Sequence, residues 1–390
     1  MAGLTKLEPE AKAAGQLAFW DLGFRPFYLM AGLLAAVSVP LWVAEFAGVL
    51  GHALQRSSLW HAHEMIFGFA FAVIVGFLFT AGRNWSGQPT PAGRHLAAIA
   101  TLWLAGRLLV LTPWPLLAAV ADTAFALAAA LGLAVPLVAA RNRRNYFFVA
   151  LLLSLGAANL AFHLTMAGLV DLPLQFGLQL GLDLVLFAMV VMGGRVIPMF
   201  SNNGVPGCGA RRVPWLERAA PGSVLVVLVV DAFAAAPAAL LAAVCALSAL
   251  LQAGRLALWQ PWRTLRHPLV WVLHAAYTWI AIHLALRAGA ALEYLPGSAA
   301  THALTVGAIG GMTLGMMTRT ARGHSGLPLR SGATEAVAYV LLNLAALARI
   351  AIPSLWPAGY VPAVVASGAL WALAFALFVW RYVPVLLRSR

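Results

Sequence analysis

The stretch "HEMIFGFAFAVIVGFLFTAGRNWSGQP", His63–Pro89, decides how the chain is read. Titratable groups open it, an apolar run long enough to cross a bilayer follows, and a Gly/Pro-containing turn closes it. A second stretch of the same length, "HALTVGAIGGMTLGMMTRTARGHSGLP" from His302 to Pro328, repeats the pattern. Seven positions are identical: His63/His302, Gly68/Gly307, Gly76/Gly315, Arg83/Arg322, Ser86/Ser325, Gly87/Gly326 and Pro89/Pro328. This composition gives roughly two or three by chance. A fainter third copy, "GGRVIPMFSNNGVP", aligns Gly193, Gly204 and Pro206 with Gly76, Gly87 and Pro89, with Leu180 in place of the histidine.

Composition sets the class. Of 390 residues, 62% are hydrophobic and 9% charged, against roughly 25% charged in soluble chains. The expectation is an all-α polytopic membrane protein. Twelve apolar segments fall near 26–49, 62–81, 95–112, 114–139, 145–169, 174–200, 215–233, 236–258, 268–287, 301–319, 332–352 and 360–386. The three copies then sit on spans two, six and ten. That predicts three pseudo-repeats of four helices, about 25–140, 141–259 and 260–390, within one transmembrane domain, 1–390. Residues 1–25 form an N-terminal segment that does not read as a cleavable signal.

The net charge of +13 belongs to orientation, not to nucleic acid. Alternate loops and both termini hold 20 of the 25 basic residues, so both termini are expected in the cytoplasm and the number of spans is even. Six of the ten histidines then gather at the outer third: His52, His61, His63, His163, His283 and His302. His274 lies deeper, about two turns from the inner face. Cys208 and Cys245 read as unpaired thiols.

Two histidines at one depth on spans two and ten suggest axial ligands on either side of a flat cofactor, with haem the first choice. The alternative is that His63 and His302 are interfacial or helix-start residues. His61 and His63, two positions apart, point to opposite sides of a helix, which suits two different sites. Imidazole clusters suit copper, iron and zinc, so His61, His163, His274 and His283 are candidates for a second metal. Arg107, Arg287 and Arg349, at outer helix ends, suit haem propionates or lipid headgroups. Arg195, beside Pro198, points to an anion or backbone site. Glu64, Glu45, Asp122 and Asp231 are candidate proton carriers, Glu64 also a group that steadies a ligand.

Several stretches resemble the NnrS family: "FRPFYLMAGL" at 24–33, "WHAHEMIFGFAFAVIVGFLFTAGRNWSG" at 60–87, "GGRVIPMFSNN" at 193–203, "HPLVWVLHAAY" at 267–277 and "HALTVGAIGGMTLGMMTRTARGHSG" at 302–326. The resemblance covers nearly the whole chain. It implies a twelve-span bacterial inner-membrane protein with haem (haem b) and copper, linked to nitric oxide in denitrification and nitrosative stress. More distantly, the repeat resembles the catalytic subunit of haem–copper oxidases and nitric oxide reductases, where histidines of helices two and ten hold a haem. His63 and His302 match that pattern. The second-metal histidines of those enzymes do not match, since spans six and seven here carry no histidine.

Three readings follow. One is a metalloprotein that binds or processes nitric oxide, up to a nitric oxide reductase-like oxidoreductase. Reduction needs electrons and protons, and the sequence shows neither a donor domain nor an ordered proton path. Removal of bound nitric oxide from iron centres fits equally. The others are a twelve-span secondary transporter and a haem-based sensor or assembly factor.

Overall fold

A computed structural model describes residues 15–50, 58–233 and 236–389. His52, Arg56, Lys6, Lys12 and Arg390 lie outside the described residues. The described chain folds into helical rods: α1 Phe24–Phe46, α2 Ser58–Ser86, α3 Gly93–Leu109, α4 Pro115–Ala139, α5 Tyr146–Met166, α6 Phe176–Gly204, α7 Leu216–Ala232, α8 Ala238–Leu258, α9 Pro268–Ala291, α10 297–324, α11 Ala333–Leu355 and α12 Tyr360–Leu387. Nine of them are long and apolar enough to cross a membrane. Of the other three, α3 and α7 have 17 residues each, and α10 carries Arg319 and Arg322 near its end.

The rods are apolar on their outer faces, as lipid requires. On α4, Leu116, Val120, Leu127, Leu131, Val135 and Val138 are exposed at helical spacing. The opposite face buries Ala118, Ala119, Asp122, Ala126, Ala129 and Ala130. Small residues inside let helices approach closely, and large apolar ones outside meet acyl chains. A soluble helix has the reverse pattern. Both free cysteines, Cys208 and Cys245, are buried.

The two chain ends lie together. Leu17 bridges to Arg388, and the buried Arg25 donates to the carbonyls of Val385 at 3.0 Å, Leu386 at 3.2 Å and Arg388 at 3.1 Å. Those carbonyls end α12 and have no partner within their helix. The side bearing this clasp is here called the terminal face, and the opposite side the far face. Going round the bundle, α12 packs on both α11 and α1, which closes the ring. At its centre α2, α6 and α10 converge on an apolar cavity of about 80 Å³, lined by Val73, Phe77, Met189, Val196, Ile309 and Met312 among others.

The α2 and α10 stretches match in shape as well as in letters. Gly87 and Gly326, just past their ends, have φ of 65° and 70°, a region open to glycine and costly to residues with a Cβ. Gly76 sits against Phe27 and Tyr28 of α1, and Gly315 against Val272 and Leu273 of α9. A Cβ would come within 2.9 Å of Phe27 or 2.8 Å of Val272. Both helices also widen into a π-helical turn, over Glu64–Ala70 and Ala303–Gly310. The third copy lacks this turn, since α6 runs as an unbroken α-helix.

Candidate functional site

The π-turns begin directly after His63 and His302. A π-turn fits one extra residue into the helix and is frequent at functional sites. In α2 the amide of Phe71 reaches back five residues to the carbonyl of Ile66. The two histidines of α2 precede the turn, and they point into different chambers near the far face.

His61 opens onto a cavity of about 260 Å³ walled by α1, α2, α10, α11 and α12, with Leu182 of α6. Its ring stacks on Trp42, with centroids 4.2 Å apart and planes 13° from parallel. Its Nδ1 is buried and has no hydrogen-bond partner. His302 lines the same cavity. Its Nδ1 lies 2.6 Å from the Ser298 carbonyl, so Nδ1 must be the donor and Nε2 keeps a lone pair. Arg349 completes the polar part of the wall. It is 6% exposed, donates to the Tyr360 hydroxyl at 3.1 Å and lies over that ring at 5.0 Å. Among the described residues no carboxylate pairs with it.

His63 faces the other way, into a closed polar cluster formed by α2, α3, α4 and α5. Its Nδ1 is 3.0 Å from Glu64 Oε1 and its Nε2 is 2.8 Å from Asn159 Oδ1 and 3.5 Å from Asp122 Oδ2. His163 Nε2 donates to the same Asp122 oxygen at 3.0 Å. Arg107 Nη2 grips both oxygens of Asp122, at 2.6 and 2.7 Å, and its Nε stands 3.5 Å from Glu64 Oε2. The His63 and His163 rings are 5.0 Å apart. Two carboxylates against one guanidinium leave a formal charge of −1. One positive charge, a proton on an imidazole or a metal cation, neutralises the group. His63, Asp122 and His163 each offer a ligand atom, all within 4.8 Å of one another.

The remaining sequence candidates divide. Arg287 holds Asp183 at 3.1 Å and Asp231 at 2.5 Å, while Gln179 donates to Asp183 at 3.0 Å. Arg107 and Arg287 are therefore engaged by carboxylates of this chain, and of the three outer arginines Arg349 alone faces a cavity without one. His283 Nδ1 donates to the Ala300 carbonyl at 2.7 Å, leaving a buried Nε2 with no partner. His274 is remote from both chambers and bonds through Nε2 to the Ser201 hydroxyl at 2.8 Å.

One expectation needs correcting. His63 does not share a chamber with His302; His61 does. His63 looks from α2 toward α3, α4 and α5, while His302 looks from α10 toward α11, α12 and α1. The α2 residue that meets His302 must lie on the opposite side of α2, and that is His61.

Asn159 and Trp42 had no part in the sequence reading. Asn159 was findable, because "NLAFH" places it four residues before His163, on the same helix face. Trp42 gave no local signal.

Residues 18–390 match the family model described as NnrS protein. The chain belongs to the NnrS family. No curated protein matches it. The match of this NnrS chain spans every residue named in both chambers.

Proposed function

We propose that this NnrS chain is a haem protein of the bacterial inner membrane, with copper as second metal, that binds or processes nitric oxide in denitrification or nitrosative-stress defence. All twelve rods cross the membrane, the terminal face is cytoplasmic, and the two chambers open toward the periplasmic side. The loop and terminal arginines on the terminal face support that orientation.

The observation that carries the proposal is the His61–His302 chamber. Among the described residues it offers two imidazoles, each with a ring nitrogen free of hydrogen bonds, apolar and aromatic walls, and a buried arginine paired with no carboxylate. That donor set fits a flat, anionic, iron-bearing cofactor. His61 and His302 would hold the iron, and Arg349 would meet a propionate. Bound haem would supply a redox-active iron that exchanges electrons, and nitric oxide would reach it where one of the two imidazoles gives way. The chain contributes orientation: Trp42 fixes the plane of His61, and the Ser298 carbonyl fixes the tautomer of His302. The His63–Asp122–His163 group suits the second metal, with Arg107 and Glu64 holding Asp122 and His63 in place.

The test is a reduced-minus-oxidised visible spectrum of the purified protein, with and without nitric oxide, alongside metal analysis. His61→Ala and His302→Ala should each lose the Soret band. His63→Ala and His163→Ala should keep it and lose copper. A Soret band that survives His61→Ala and disappears in His63→Ala would refute the chamber assignment. An electrode assay with an artificial donor then separates turnover of nitric oxide from binding.

A further inference from the structure

On the terminal face, directly beneath the central apolar cavity, the ends of α2, α6 and α10 surround a vestibule of about 630 Å³. Arg144, Arg195, Arg212 and Arg319 line it, and no aspartate or glutamate is among the residues that do. Among the described residues, Arg212 alone of the four has a carboxylate nearby, Glu217 at 3.5 Å, and Arg212 is exposed there.

Loop arginines are ordinary on a cytoplasmic face, but two of these four are not in loops. Arg195 belongs to α6 and Arg319 to α10. Arg319 is only 9% exposed. Its guanidinium lies 3.7 Å from the Phe200 ring centroid, and among the described residues it has no ion pair or hydrogen bond. Arg195 lies over Phe147 and Phe148 at 5.3 and 5.5 Å and spends one Nη1 donor on Asn145 at 3.0 Å. Aromatic faces hold the guanidinium planes still and use none of their N–H groups. The result is an array of fixed, unspent donors around a positive concavity, and burying a cation without a counter-charge is costly.

We propose that this vestibule is a binding site for an oxyanion of the phosphate type. Arg319 and Arg195 are its central donors, and Arg144 and Arg212 stand at its mouth. The anion is either free in the cytoplasm or the headgroup of an anionic lipid. The second source is open because the vestibule shares Phe77, Met192, Val196 and Met316 with the apolar cavity above it, so an acyl chain has somewhere to go. The site is independent of the haem reading and lies at the opposite face of the bundle.

The experiment uses the full chain purified in uncharged detergent, with ionic strength held constant by chloride. The thermal midpoint is followed against inorganic phosphate and, separately, against short-chain phosphatidylglycerol. A saturable rise is expected with at least one probe. Its apparent affinity should fall roughly tenfold or more in Arg319→Gln and in Arg195→Gln, the scale of one lost charge-assisted hydrogen bond. Arg330→Gln, an exposed arginine of the same face outside the vestibule, should leave it unchanged. A response to phosphate assigns a soluble anion, and a response to phosphatidylglycerol alone assigns a lipid headgroup. Arg195→Gln and Arg319→Lys keep the test open if Arg319→Gln does not fold. No saturable response to either probe, or a response undiminished in Arg195→Gln and Arg319→Gln, overturns the proposal.

Discussion

The two sides of α2 solve the same problem in opposite ways. Each places a histidine, an arginine and aromatic rings at similar depth. On the His63 side the charges answer one another: Arg107 holds Asp122 through Nη2 and stands 3.5 Å from Glu64, although its Nε and Nη1 make no hydrogen bond, and both ring nitrogens of His63 face oxygens. On the His61 side they do not. Among the described residues no carboxylate pairs with Arg349, and one nitrogen of His61 has no partner. A buried network of paired charges lends stability and fixes geometry. A buried cavity with polar groups left over is shaped for something that comes from outside. The difference separates a cluster of charges already paired within the chain, short of one positive charge, from a chamber whose arginine and imidazoles face open space.

The strongest way to break this comparison is Asp122→Ala. It strands the buried Arg107 and should cost about 3–5 kcal/mol, read as a drop in thermal midpoint of the purified protein in detergent. A loss comparable to that of an exposed substitution would mean that the His63 cluster is not self-supporting.

Gly68→Ala comes next. A Cβ there would meet Arg107 Nη1 at 2.7 Å and Leu34 at 2.8 Å, pressing on the same network, and should cost about 1–3 kcal/mol. Its repeat partner Gly307 packs on Trp279, so Gly307→Ala should cost a similar amount and leave copper content unchanged.

His302→Ala sharpens the other side. With no cofactor bound it removes one backbone hydrogen bond and should cost about 1 kcal/mol, while haem content falls to background. A large loss of stability in the haem-free protein would make His302 structural. The smallest effect is expected for Gly87→Ala, where positive φ alone is at stake, at about 1 kcal/mol or less and with both chambers intact by spectrum and metal content.

Much of the fold was legible because lipid leaves few choices. Helix ends were placed within a few residues by hydropathy and by the turns that interrupt it: 145–169 became Tyr146–Met166, and 268–287 became Pro268–Ala291. The opposite directions of His61 and His63 followed from the helical period alone. What stayed hidden depended on rotation about the bundle axis. Letter-by-letter matching of α2 with α10 pairs His63 with His302, but which side of α2 meets α10 depends on packing, and that side carries His61. The π-turns were hidden too, because no residue pattern distinguishes a wide turn within an apolar run. Asp122 could be named as a buried acid, but its meeting with Arg107 and His163 depends on how α3, α4 and α5 pack.

The closed ring has a consequence for the order of assembly. The His63 cluster is built from α2 to α5, and its last member, His163, is in place before half the chain has been made. The His61 chamber needs α1 and α2 together with α10, α11 and α12, so it stays open until the final helix arrives and Arg25 captures the carbonyls at its end. During synthesis, then, one chamber matures early and locally, while the other is sealed last by contacts between the first and final helices. The chamber stays open to a ligand until α12 docks on α1 and α11.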